Sequence, residues 1–161
     1  MNKIKELVPY IVITMIVILI RMFIISPVRV DGTSMYPTLS NNEFLLLSKY
    51  DQSYDRFDIV VLKYRNERLV KRIIGLPGET VEYKNNTLYI NGKEMEEPFI
   101  NTNTDDFNLN ELGYDKIPEN YYFVVGDNRG SSLDSRMIGL INKKDLQGTI
   151  KLSITGFKFV K

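Results

Sequence analysis

A chain without histidine or cysteine has few ways to activate a nucleophile. The Ser-His-Asp triad and thiolate chemistry are excluded, which leaves carboxylates, lysine, tyrosine or an oxygen-ligated metal. Serine paired with lysine is one known substitute for serine paired with histidine. The serine in the least ordinary setting is Ser34, inside "VDGTSMYPTL" (Val30 to Leu39). Gly32 lets the backbone turn or approach another chain closely, and Pro37 fixes φ and removes a donor. Met35 and Tyr36 are apolar for a loop, as if something had to come near this serine.

A lysine with pKa ~10.4 is almost wholly protonated at neutral pH, so it acts as a base only where apolar burial lowers that value. In "RLVKRIIGLPGE" strand alternation places Lys71 on one face with Leu69 and Ile73, and Arg72 on the other with Val70 and Ile74. Lys63 in "VVLKY" is a rival, whereas Lys49, Lys93, Lys143 and Lys144 sit beside polar or turn residues. On periodicity alone, Lys71 reads first as a strand lysine that snorkels from an edge, with the general base as the second reading.

A third segment, "GDNRGSSLDSR" (Gly126 to Arg136), follows the apolar run "YYFVV". Its side chains are dense in partners for one another, as in a loop stapled by hydrogen bonds and an Asp-Arg pair. Asp127, Asn128 and Asp134 also offer hard oxygen ligands, but the spacing is not that of an EF-hand and Arg129 and Arg136 oppose a cation. Structural loop, metal site and active-site wall all stay open here.

These three segments need elements to hold them. The chain has 161 residues and a formal net charge of +1, a length for one domain and a charge that gives no field for nucleic acid. Residues 7–26, "LVPYIVITMIVILIRMFIIS", are apolar except for Thr14, Arg21 and Ser26, and at ~1.5 Å per residue they span roughly 30 Å. A transmembrane anchor, a cleaved signal peptide and a buried core helix compete for this segment. A signal peptide should end at an Ala-x-Ala-like site, and the chain has no alanine. Continuous β-branched residues on every face argue against a core helix. The anchor is therefore the expectation, with Lys3 and Lys5 keeping residues 1–6 cytoplasmic and Arg21 snorkelling near one end.

Beyond Pro27 the runs "EFLLLSKY", "FDIVVLKY", "RLVKRIIGL", "TVEY", "TLYI", "YYFVVGD" and "GTIKLSI" have strand lengths. Asn91-Gly92 marks a hairpin, since both residues accept the positive φ of a type I′ turn. The order predicts a meander of antiparallel pairs. The polar stretch 101–115 reads as a surface excursion.

Together the anchor, "GTSMYPTL", "VKRIIGLPGE" and "GDNRGSSLDSR" resemble, in order, the bacterial type I signal peptidases of Gram-positive type, over nearly the whole chain. The resemblance implies a mainly β fold: one N-terminal transmembrane helix, then an antiparallel β-sheet catalytic domain of the signal peptidase and self-cleaving repressor type. That domain would be extracytoplasmic and occupy residues 27–161, with a cap-like insertion around 82–120. By resemblance Ser34 is the nucleophile and Lys71 the general base, Ser132 helps orient the lysine, and Asp127, Asp134 and Arg136 support the loop. Some members carry a serine where this chain has Gly32, so the oxyanion hole would rest on backbone N–H groups, Ser34's own among them, with Gly32's close approach.

An extended substrate would lie beside 27–30 and 68–71, contacting Val30, Asp31, Met35 and Val70, with small residues at alternate positions. Met35 is expected at the bilayer surface. The implied partners are signal peptides of secreted preproteins, the lipid bilayer of the cell membrane and the nearby secretion translocon. No cofactor, metal or nucleic acid is implied. A self-cleaving repressor relative, an inactive tethered homologue that binds secreted chains, and a purely structural β-domain are the alternatives.

Overall fold

The computed structural model describes residues 2–50, 53–100, 102–156 and 158–160. The side chains at 2–5 and 20–23 are outside that description, so the orientation argument from Lys3, Lys5 and Arg21 lies outside the described residues. The chain opens with helix α1 (Asn2–Phe23) and passes directly into strand β1 (Ile25–Arg29). Strands β2 (Phe44–Ser48), β3 (Ile59–Tyr64) and β4 (Glu67–Gly75) follow. Next come β5 (Val81–Lys84), β6 (Thr87–Ile90), β7 (Lys93–Met95), β8 (Phe107–Asn108) and β9 (Tyr121–Val125). The chain ends with the short helix α2 (Ser135–Ile138) and strands β10 (Ile141–Asn142), β11 (Leu146–Ser153) and β12 (Lys158–Phe159).

The mainly β expectation agrees with this arrangement, but the reading of residues 7–26 as a transmembrane anchor does not. Among the described residues no helix is long and apolar enough to cross a membrane. The helix also stops at Phe23. Ser26 precedes Pro27, whose ring disfavours helical backbone in the residue before it, and the β-branched Ile25 pairs with Ser48 instead. No span among the described residues supports the single-pass topology and bilayer partnership that rested on this anchor.

The larger sheet runs β1-β2-β11-β3-β4-β9-β10, with β12 paired to β11. It is not the simple meander expected, because β11 from the far end of the chain inserts between β2 and β3. A second sheet, β7-β6-β5-β8, lies within the stretch expected as an insertion. Asn91 and Gly92 turn β6 into β7 with φ of 51° and 73°, as a type I′ turn requires.

Strand β3 explains why the larger sheet is buried on both faces. Ile59 and Val61 enter a core with Val28, Met35, Leu39, Leu47 and Ile150. Val60 and Leu62, one residue out of phase, enter another with Ile73, Val124 and Leu146. A strand apolar at four successive positions, Ile59 to Leu62, can satisfy both cores, and truncating Ile59 to alanine would cost about 2–5 kcal/mol.

Candidate active site

The loop carrying Ser34 is closed at its base by two backbone bonds, Val30 N–H to Glu43 O at 2.8 Å and Asn42 N–H to Val30 O at 2.9 Å. Above that neck Gly32 has φ of +96°, a region that suits glycine, and donates its N–H to Asn41 Oδ1 at 2.9 Å. Met35 and Leu39 drop into the core at 1% and 0% exposure. Met35 is therefore not a surface residue, contrary to the sequence expectation: its apolar side chain anchors the loop, and the half-buried Ser34 beside it is held by that anchor.

Lys71 lies where β4 changes neighbours. β3 pairs with β4 from Glu67 to Arg72, but β9 joins the other edge only from Arg72 onward. The half from Glu67 to Lys71 thus has one open edge. Lys71 is 2% exposed, and its Nζ donates to Ser34 Oγ at 2.7 Å and to Val70 O at 3.0 Å. Burial lowers its pKa to about 8, opposed by the negative charges of Asp134 and Asp127. Lys63, the rival from sequence, is exposed.

The loop after β9 forms the wall behind this pair. Arg72 Nε and Nη2 donate to Asp127 at 2.9 and 2.6 Å, with both side chains fully buried, and Thr38 Oγ1 donates to the same carboxylate at 2.5 Å. Asp134 accepts from Gly126 N–H at 3.1 Å and from Arg136 Nε and Nη2 at 2.9 Å each. Both carboxylates already hold a guanidinium, so the loop takes the stapled form rather than that of a metal site. Gly126 touches the serine loop directly: a Cβ there would sit 2.5 Å from Ser34 O and would also strike Ser132 Oγ. Asn128 N–H donates to Ser34 O at 3.0 Å. Ser132 is 9% exposed, and its Oγ is buried without a hydrogen-bond partner among the described residues.

A cleft of about 500 Å³ opens in front of Ser34 and Lys71, walled by Pro27 to Asp31 on one side and Glu67 to Lys71 on the other. Of the expected substrate contacts, Val30 is buried, Val70 half-buried and Asp31 exposed; all three line the cleft, with Met35 beside Ser34. The structure thus gathers Ser34, Lys71, Asp127, Asp134, Arg136 and Ser132 around one cleft end. The Gly32 N–H is taken by Asn41 Oδ1, which leaves Ser34's own N–H as the donor nearest the nucleophile in the chain.

Arg72, Thr38, Asn41 and Arg129 were not singled out as functional from sequence. Arg72 had one signal, an arginine at an inward strand position between Val70 and Ile74, which must find a buried carboxylate. Asn41 had none.

A family model described as "Signal peptidase, peptidase S26" matches residues 4–155. Signal peptidase I S of Bacillus subtilis strain 168 is 48% identical over 157 residues, covering 88% of this chain and 83% of that relative. Signal peptidase I of Bacillus amyloliquefaciens is 44% identical over 161 residues, covering 94% and 87%. Among solved structures, a signal peptidase I from Enterococcus faecalis superposes with a TM-score of 0.57 at 43% identity, over 60% of this chain and 96% of that one.

Proposed function

The chain belongs to the signal peptidase family, peptidase S26, and is a hydrolase of the type I class; from that premise we propose that it cuts signal peptides from preproteins with Ser34 as nucleophile and Lys71 as general base. The observation that carries the proposal is the 2.7 Å contact between a buried, pKa-depressed lysine and a half-exposed serine at the end of an open cleft.

The neutral form of Lys71 takes the proton from Ser34 Oγ while Oγ attacks the scissile carbonyl carbon. When the tetrahedral intermediate collapses, the C–N bond breaks and Lys71 returns the proton to the leaving amine. Water then attacks the resulting ester, Lys71 takes its proton, and the carboxylate product departs as Oγ is reprotonated. Ser34's own N–H is the backbone donor assigned to the oxyanion. The bond from Asn128 to Ser34 O supports that assignment by fixing the peptide plane on the far side of the same residue.

The substrate binds as an added strand between β1 and the open half of β4. β1 ends its sheet and β4 lacks a second strand neighbour before Arg72, so both present an open strand edge to the cleft. Alternate side chains of an extended guest point toward Val30 and Val70 in this reading, and a small-x-small preference of Ala-x-Ala type goes with it. Ser132, Asp127, Asp134 and Arg136 hold the wall behind Lys71, and the second sheet acts as a cap over the loop that carries them.

The test is to incubate the protein with a labelled preprotein and read the new N-terminus by mass spectrometry. A cut immediately after a small-x-small motif is expected. No cut on several preproteins by folded protein would favour an inactive homologue that binds secreted chains.

A further inference from the structure

Arg129 lies in the catalytic wall, yet most of its side-chain partners lie on β5 and on a strap of chain between β7 and β8. It is 4% exposed, and its guanidinium donates to Glu97 Oε1 at 2.6 Å, Glu97 Oε2 at 3.1 Å and Thr104 Oγ1 at 2.9 Å. Its backbone N–H donates to Thr102 Oγ1 at 3.2 Å, and the ring of Tyr83 lies 5.1 Å beneath the guanidinium carbon. Tyr83 also donates its hydroxyl to Glu97 at 3.1 Å. The fourth side-chain bond points the other way: Arg129 Nε donates to Gly126 O at 3.0 Å. Gly126 is the residue packed against Ser34 O and Ser132 Oγ.

The same strap is seated a second time. Phe99, two residues after Glu97, stacks on the Arg72 guanidinium at 3.8 Å and meets the Phe57 ring edge-on at 5.1 Å. Phe57 has φ of +71°, a costly conformation for a bulky residue, and its carbonyl accepts from Arg72 Nη1 at 2.9 Å. Thus Glu97, Phe99, Thr102 and Thr104 of this strap lie against two of the arginines that grip the catalytic wall, Arg129 through Gly126 O and Arg72 through Asp127.

We propose that Glu97 is a positioning residue for peptide-bond cleavage, acting through Arg129 to hold Gly126 against Ser34. Glu97 neutralises and orients a buried guanidinium that would otherwise turn toward Asp127 or Asp134. Its loss leaves β1 and β4 unaltered but lets the Gly126 carbonyl, and with it the Ser34 peptide, drift. The inference rests on the signal-peptidase reading for its kinetic part only.

The test compares the parent, Glu97→Gln, Glu97→Ala and Ser34→Ala in the full chain, by preprotein cleavage and by amide hydrogen exchange without substrate. A misplacement of this kind is expected to lower kcat about tenfold to a hundredfold in both Glu97 variants with KM within about twofold. Exchange at Gly126 and Asn128 N–H is expected to quicken about tenfold or more, while amides of β3 and β11 keep the parent's rates. Unchanged exchange at Gly126 and Asn128 overturns the proposal, as does quickening spread evenly over the sheet, which is a stability effect only. A raised KM at constant kcat, or loss of the fold in both variants, overturns it too. An inactive parent would count against the cleavage reading instead, and the exchange result still decides the strap.

Discussion

Lys71 Nζ donates to Ser34 Oγ across 2.7 Å, although the two residues lie on different elements and Lys71 is 2% exposed. Burial holds the lysine at pKa about 8, so near neutrality most molecules carry the proton that the chemistry needs removed. The rate of cleavage, kcat/KM, should therefore rise with pH and level off above about 8, with a single ionisation on the acid side. A pH-rate profile on one preprotein checks this, and a flat profile from pH 6 to 10 would count against Lys71 as the base.

The same depressed pKa links folding to pH. Between about pH 8 and ~10.4 the unfolded chain holds a proton at Lys71 that the folded chain has lost, so stability rises with pH across that window. Lys71→Met should remove this slope and raise stability at pH 7 by about 2 kcal/mol. Urea unfolding of both proteins at pH 7 and pH 10 measures it; equal slopes would contradict the burial argument.

Gly126→Ala would drive a Cβ to 2.5 Å from Ser34 O and into Ser132. Overpacking of this kind costs about 1–3 kcal/mol, and because the contact is with the nucleophile's own peptide, cleavage should fall more than tenfold even in molecules that remain folded. Thermal melts beside cleavage rates separate the two effects. Parent-like activity in the variant would mean that the wall tolerates displacement.

Asp127→Ala leaves Arg72 fully buried with its principal partner gone. Breaking such a pair costs about 3–5 kcal/mol, whereas exposed Lys151–Asp58, at 3.0 Å, should yield less than about 1 kcal/mol on removal. Chemical denaturation of Asp127→Ala and Lys151→Ala gives the comparison, and similar losses would deny the importance of burial.

Asn41→Ala removes the acceptor that holds the N–H of Gly32, two residues before the nucleophile. The site is exposed, so the stability loss should stay near about 0.5–1.5 kcal/mol. Cleavage should fall severalfold with KM unchanged, because the Ser34 loop loosens without any change at the cleft walls. Steady-state kinetics with melts tests this; a KM effect alone would place Asn41 in substrate binding.

The residues with chemical potential were legible because the chain lacks histidine and cysteine, which narrowed the search to Ser34 and the lysines. Strand periodicity found most of the sheet but could not tell a buried lysine from one at an edge, since both alternate identically. What decides Lys71 is that β9 stops pairing at Arg72, a long-range fact with no local trace. The insertion of β11 between β2 and β3 is hidden for the same reason. Hydropathy misjudged residues 7–26, where apolar continuity concealed the helix-to-strand change enforced before Pro27. In the polar stretch 101–115, a capping box between Asn108 and Glu111 starts a short 3-10 helix, and that local signal was readable.

The most direct test is the initial rate of cleavage of one preprotein at pH 9 by the parent, Ser34→Ala and Lys71→Met at matched folded concentration. If Ser34 attacks and Lys71 takes its proton, both variants fall by about a thousandfold or more, and to similar residual rates, because the two groups act as a unit. A variant that kept the parent's rate, or a parent that left the preprotein whole, would contradict the account.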